Sequence, residues 1–225
     1  MSESHFVHAL ALGLDPAWRR LDRDERCRTA EDFCAAVNGT SEVTTFTYST
    51  IGLKSGVEML LWSLAPSLEA LEEKNAATLR SGLGAWTTVQ HSFLGIIRPS
   101  QYVKRPTPQE QSLFTGRRSA YLVVYPFTKS TDWYLLGQEE RQKVMNEHMK
   151  VGHRYPQVRQ LLAYSFGVDD MDFLVAYETD DMAAFGELVR ELRGTESRRS
   201  TVRDTPILTG VHRPIDEITH LLGAQ

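Results

Sequence analysis

The sequence predicts an α+β protein built from tandem ferredoxin-like (βαββαβ) repeats, with two antiparallel sheets packed together. Three observations lead there. The order strand, helix, strand, strand, helix, strand can be read twice along the 225 residues. The halves share residues: Tyr48-Ser49-Thr50-Ile51-Gly52 returns as Tyr164-Ser165-Phe166-Gly167, and Trp62 and Tyr177 each follow their glycine by ten positions. A four-stranded sheet with helices on one face leaves its other face bare, so two such sheets cover one another. A single α+β sandwich without internal repeats is the alternative.

The elements follow in order. Phe6 to Leu14 is a short apolar run, read as a strand. Asp15-Pro16 opens a helix, with Asp as cap and Pro at the first position, which runs through Trp18, Leu21, Phe33 and Val37 to Asn38-Gly39. Val43 to Thr50 has the Thr, Phe and Tyr content of a strand, and Val57 to Leu64 is a second apolar run across the turn Lys54-Ser55-Gly56. Pro66 to Leu79 is helical, with Leu68, Leu71 and Leu79 on one side, and Trp86 to Ile97 is a long strand. In the second half, Tyr121 to Phe127, Val158 to Phe166 and Phe173 to Tyr177 are strands, and Gln138 to Val151 and Met182 to Leu192 are helices. Thr201 to Val211 is the final strand. The stretch from Arg98 to Arg118 is polar, with three prolines. The division expected is therefore a first domain over 1–98, a linker over 99–118 and a second domain over 119–225.

Composition narrows the function. The net charge of -4 provides no basic footprint for nucleic acid. Cys27 and Cys34 match no zinc spacing, and two turns of helix hold them too far apart for a disulfide, so free thiols in a reducing compartment are expected. The N-terminus lacks the features of a signal peptide, and no window approaches the roughly 18 apolar residues of a membrane span. A cytoplasmic protein is the expectation. Neither a phosphate-binding loop nor a GxSxG or HExxH motif is present.

One histidine stands out. On the helix from Gln138, His148 shares a side with Val144, Met145 and Met149, at spacings of three and four. From position alone a satisfied core histidine is the commoner occupant of such a place than a metal ligand. Its surroundings add weight to the ligand reading. Tyr125-Pro126-Phe127-Thr128-Lys129 ends a strand, Asp132-Trp133-Tyr134-Leu135 follows, Gln160 lies twelve residues after His148, and Glu196 follows the next helix.

This order and spacing resembles the chlorite dismutase-like family, whose members include chlorite dismutases and the coproheme decarboxylases of bacterial haem synthesis. The likeness is strongest from Tyr121 to Gly210 and extends to Asp15-Pro16-Ala17-Trp18-Arg19-Arg20-Leu21 and Arg98-Pro99-Ser100-Gln101-Tyr102-Val103. The resemblance implies paired ferredoxin-like domains of the dimeric α+β barrel type, in agreement with the repeat.

The resemblance also implies roles. His148, in Glu147-His148-Met149-Lys150-Val151-Gly152, matches the axial ligand to haem iron. Glu196 matches the carboxylate that bonds the ligand's other ring nitrogen and so makes the imidazole a stronger donor; a surface residue beside Arg193 and Arg198 fits the sequence equally. Lys129 matches a lysine beside the porphyrin propionates, although on sequence grounds alone an ordinary loop lysine is the commoner reading. Tyr125 matches the tyrosine that coproheme decarboxylases oxidise with peroxide on the way to removing a propionate's carboxylate; a strand aromatic filling core is the plainer role. Gln160 matches the position where chlorite dismutases place a distal arginine and some coproheme decarboxylases a glutamine. A one-residue slip would put Arg159 there instead, because a slip reverses the face of a strand. Trp133 and Met149 are candidates to pack near the macrocycle, although core packing is the commoner role. His153 is the alternative ligand. Asp169-Asp170 reads as a hairpin turn.

The implied reaction is peroxide-dependent conversion of iron coproporphyrin III (coproheme) to haem b, catalysed by Tyr125, Lys129 and Gln160. Chlorite dismutation or peroxidase activity with resident haem b, and non-catalytic haem carriage or sensing, are the alternatives. The partners implied are coproheme, hydrogen peroxide and further copies of the chain, a pentamer by family resemblance.

Overall fold

The computed structural model describes residues 5–39, 42–98 and 117–224. Most of the expected 99–118 linker, including Pro99 to Val103, lies outside the described residues.

The chain forms two compact units, one running up to Ile97 and resuming at Leu208, the other spanning Arg98–Ile207. In the first unit, β1 (His5–Leu14), α1 (Arg23–Asn38), β2 (Thr44–Lys54), β3 (Val57–Ala65), α2 (Leu68–Arg80) and β4 (Thr87–Ile97) follow in order. Pairing is antiparallel throughout, with β1 between β4 and β3, and β3 between β1 and β2. Trp18, Phe33, Met59 and Leu83 are buried in its core.

The single helix expected from Asp15 is broken. Asp15 caps only a 3₁₀ turn, Pro16–Arg20, and Leu21 is extended. Asp22 then starts α1 afresh by accepting the Glu25 N–H at 2.8 Å. Each aspartate satisfies an amide that a helix start leaves without a partner, so two caps seven residues apart make two starts. At the other end of α1, the buried Lys74 ammonium donates to the carbonyls of Ala36, Val37 and Gly39, where the helix dipole favours a cation.

In the second unit, β5 (Tyr121–Lys129), the short helix α3 (Thr131–Leu135), α4 (Gln138–Gly152), β6 (Arg159–Tyr164), β7 (Phe173–Thr179), α5 (Met182–Leu192) and β8 (Thr201–Arg203) follow one another. Here β7 lies between β6 and β5, and β8 pairs with the end of β5, again all antiparallel. The repeated glycines share a backbone conformation: Gly52, near the end of β2, and Gly167, in the turn after β6, have φ of 71° and 69°, a region open to glycine because it lacks a Cβ.

The expected final strand, Thr201 to Val211, is two strands in two units. Its first three residues pair with β5, whereas β9 (Leu208–His212) pairs with β2, Tyr48 opposite His212. Gly210 makes this approach possible, since a Cβ there would stand 2.7 Å from that of Tyr48. The helix α6 (Ile215–Leu222) then buries Ile215, Ile218 and Leu222 in the first core. The segment from Leu208, expected in the second domain, thus belongs to the first unit.

Candidate functional site

The site is built on one face of the second sheet and on α4. Residues directly opposite one another in an antiparallel ladder point to the same side. The register therefore sets three rows on one face: Val123, Tyr177 and Gln160; Tyr125, Val175 and Leu162; Phe127, Phe173 and Tyr164. Gln160 shares the face of Tyr125. Arg159 lies on the other face, opposite Glu178, whose carboxylate accepts from its Nη2 at 2.8 Å.

Tyr125 is half-buried, and its phenol is held well above the ordinary tyrosine range, by burial first and then by Tyr177. Tyr177 is buried beside it, the ring centroids 6.1 Å apart and the planes 28° from parallel. Val123, Val151, Val158, Val175 and Leu188 close the core beneath these rings.

The helix α4 begins at Gly137, whose N–H donates to the Glu140 carboxylate at 3.1 Å, with Glu139 and Glu140 in the first turn. It packs against α5 and the 3₁₀ turn Glu196–Ser200. His148 lies in its last turns, half-buried, with Nδ1 enclosed and without a hydrogen-bond partner. Burial pushes its pKa down to about 4, Lys129 adds to the fall and Glu147 opposes it. The ring is therefore neutral near pH 7, the form that donates a lone pair to a metal. An enclosed ring nitrogen without a partner is rare in native proteins and marks a site that accommodates something beyond the chain. Among the described residues no three His, Cys, Asp or Glu side chains converge on a metal position. The donor set present, one neutral imidazole, suits a metal that brings its remaining ligands with it.

The same burial predicts a pH effect. The unfolded ring takes a proton near its ordinary 6.5, whereas the native ring resists until about 4. Its contribution to stability is complete above 6.5 and is lost as pH falls through that window. Denaturant melts from pH 7 to pH 4 should therefore show a shallower loss for His148→Leu than for the wild type. Parallel losses would mean that the ring is hydrated.

Lys129 is no loop lysine. It is buried, its Nζ donates to the Ser197 carbonyl at 2.7 Å and Oγ at 3.0 Å, and it sits 4.6 Å from the Trp133 ring centroid. Burial lowers its pKa to about 8, with Arg198 adding to the effect. Trp133 is itself buried and receives this cation on its face. Met149 is half-buried on α4 beside His148. His153 is exposed at the helix end.

Glu196 does not meet His148. Its side chain is exposed and paired with Arg199 Nε at 3.1 Å, while its backbone N–H donates to Glu147 Oε2. The residue heads its own 3₁₀ turn, and Arg199 three positions on is the nearer partner. Sequence reasoning assigned nothing to Tyr177, although its place in the repeat was visible, and nothing to Ser197, which no motif signals.

A family model described as chlorite dismutase matches residues 23–213. A coproheme decarboxylase of Mycolicibacterium smegmatis is 30% identical over 173 residues, covering 76% of this chain and 74% of that protein. Among solved structures, an arginine-to-lysine variant of chlorite dismutase from Candidatus Nitrospira defluvii superposes with a TM-score of 0.89 at 26% identity, over 100% of this chain and 97% of that one. An arginine-to-alanine variant of the same enzyme also reaches 0.89, at 27% identity over 98% and 95%.

Proposed function

The chain belongs to the chlorite dismutase family, and from that footing we propose that it catalyses the oxidative decarboxylation of coproheme by hydrogen peroxide, yielding haem b. The observation that carries the reading is the face shared by Tyr125 and Gln160, with Arg159 turned away onto Glu178. A chlorite dismutase of the kind the sequence resembles would present a guanidinium there. The coproheme decarboxylase of M. smegmatis supports the same reading.

The chemistry balances without a further reductant. A propionate, one peroxide and one proton yield a vinyl group, carbon dioxide and two waters. The propionate gives up two electrons and a β-hydrogen, and the peroxide O–O bond takes the electrons. Two propionates consume two peroxides. Coproheme, as substrate, brings the iron at which peroxide is activated.

The chain's own residues supply the rest. His148, neutral and on a rigid helix, would hold the iron through one ring nitrogen, with Met149 and Trp133 beside it. Tyr125 lies in a largely apolar wall, where its phenol stays protonated at every physiological pH and so has both an electron and a proton to give. Gln160 offers a neutral amide to the same space, polar enough to orient peroxide without adding charge. Lys129 sets a cation close to the helix of His148, where a carboxylate of the substrate is favoured. Glu196, paired with Arg199, acts on His148 only if that pair opens.

The test is direct. Purified protein mixed with iron coproporphyrin III and titrated with peroxide should give haem b by chromatography, two peroxides per product. His148→Ala should change the iron's absorption spectrum. Failure to form haem b would end the proposed reaction, and an unchanged spectrum would move the ligand away from His148.

A further inference from the structure

Tyr177 sits where it joins the two residues on which the proposed reaction rests. It is directly opposite Gln160 on β6 and one row from Tyr125 on β5, all three on one sheet face. Its ring is nearly parallel to that of Tyr125 and packs 5.3 Å from that of Phe185. The side chain is buried, its ring lies against that of Tyr125, and each phenol acts on the other's affinity for its proton. A strand aromatic needed only for packing has no use for a hydroxyl. Phenylalanine would fill the same volume without a buried polar group to satisfy.

Building on the proposed reaction, we propose that Tyr177 is a second oxidisable phenol coupled to Tyr125. Tyr125 first gives one electron and its phenolic proton towards the reduction of peroxide. A hydrogen atom then passes between the neighbouring phenols: the O–H bond of Tyr177 breaks, that of Tyr125 re-forms, and the one-electron vacancy lies on Tyr177. The reverse transfer returns it. No further oxidant or proton acceptor is needed, since proton and electron move together between like groups. The consequence is a reservoir. The oxidising equivalent is kept on a fully enclosed ring, away from water, until the propionate is in place, and Tyr125 is restored to deliver it.

The experiment has two arms. In the first, the protein without tetrapyrrole is photo-oxidised by a ruthenium tris-bipyridyl flash with persulfate, and tyrosyl radicals are recorded by high-field electron paramagnetic resonance. The signal that disappears in Tyr125→Phe belongs to the pair. In Tyr177→Phe that signal should lose its coupling to an exchangeable deuteron, and its largest g-value should rise, because no hydroxyl then donates to the radical oxygen. In the second arm, Tyr177→Phe should convert coproheme about tenfold more slowly, the effect on a barrier of losing one hydrogen bond, with coproheme affinity unchanged. An unaltered radical spectrum overturns the pairing whatever the second arm gives. An altered spectrum with an unaltered rate overturns its use in the reaction. Absence of conversion in the wild type instead overturns the proposed reaction, leaving the radical result to stand or fall alone.

Discussion

Replacing Tyr125 with phenylalanine should stop coproheme conversion while leaving coproheme binding intact. The expected loss is on the order of a thousandfold, the scale that follows removal of a group that exchanges a proton with the reacting centre. The reasoning is geometric before it is electronic. The ring of Tyr125 lies over Val175 and beside Tyr177, and phenylalanine preserves those contacts, so the sheet face keeps its shape. What disappears is the hydroxyl, the one oxidisable O–H that this row presents. In the proposed reaction binding rests on His148 and Lys129, neither of which depends on that hydroxyl. Single-turnover absorbance after one equivalent of peroxide separates the steps, because the complex forms first and product follows. If the phenylalanine variant yields haem b at the wild-type rate, Tyr125 is a packing residue and the catalytic assignment fails.

Replacing Glu178 with alanine should destabilise the second unit by about 3–5 kcal/mol, the cost of breaking a buried ion pair by removing one partner. Glu178 is 0% exposed on β7 and is approached by Arg118 at 3.6 Å and by Arg159 at 2.8 Å. Arg118 is itself buried, so its guanidinium would lose a compensating charge without gaining water. Arg159, which also reaches Ser119, has a more exposed route to solvent and would adapt. Glu178→Gln should cost less, because the amide still accepts hydrogen bonds. Urea melts followed by circular dichroism measure both. A loss below about 1 kcal/mol for the alanine variant would place this cluster in the class of hydrated surface pairs. The cluster also touches the site at one remove. Arg159 and Gln160 are neighbours on one strand, so anchoring the first on the back of the sheet helps to hold the second on the front.

Much of this architecture was legible along the chain. Alternating and apolar runs marked the strands, and the helix Met182–Leu192 has the bounds its pattern implied. The repeated Tyr-Ser segment ends in both halves at a glycine with positive φ, a local demand that a sequence echo can carry. The half-buried place of His148 was visible in the spacing of Val144, Met145 and Met149. Tyr125 was visible too, as the tyrosine of a short motif. Other features were not. The second start at Asp22 is hidden because Asp15-Pro16, seven residues earlier, carries the stronger start signal.

What the sequence by itself determined is the set of local choices: which segments are strands or helices, where they turn, and which residue types with metal-binding or redox chemistry lie near one another along the chain. The tertiary structure alone decided which of those residues meet. Whether Gln160 or Arg159 faces Tyr125 depends on a register with period two, which a shift of one residue inverts, and only pairing with Tyr177 and Glu178 sets it. The burial of Lys129 needs Ser197, 68 residues away. Glu196 took Arg199, three residues on, rather than the distant His148. The return of β9 to β2 required a glycine at position 210, where the strand passes against the side chain of Tyr48. Apart from the local Glu196–Arg199 pair, the deciding energy is a contact between segments remote in sequence, and neither propensity nor periodicity, which are properties of neighbours, encodes it.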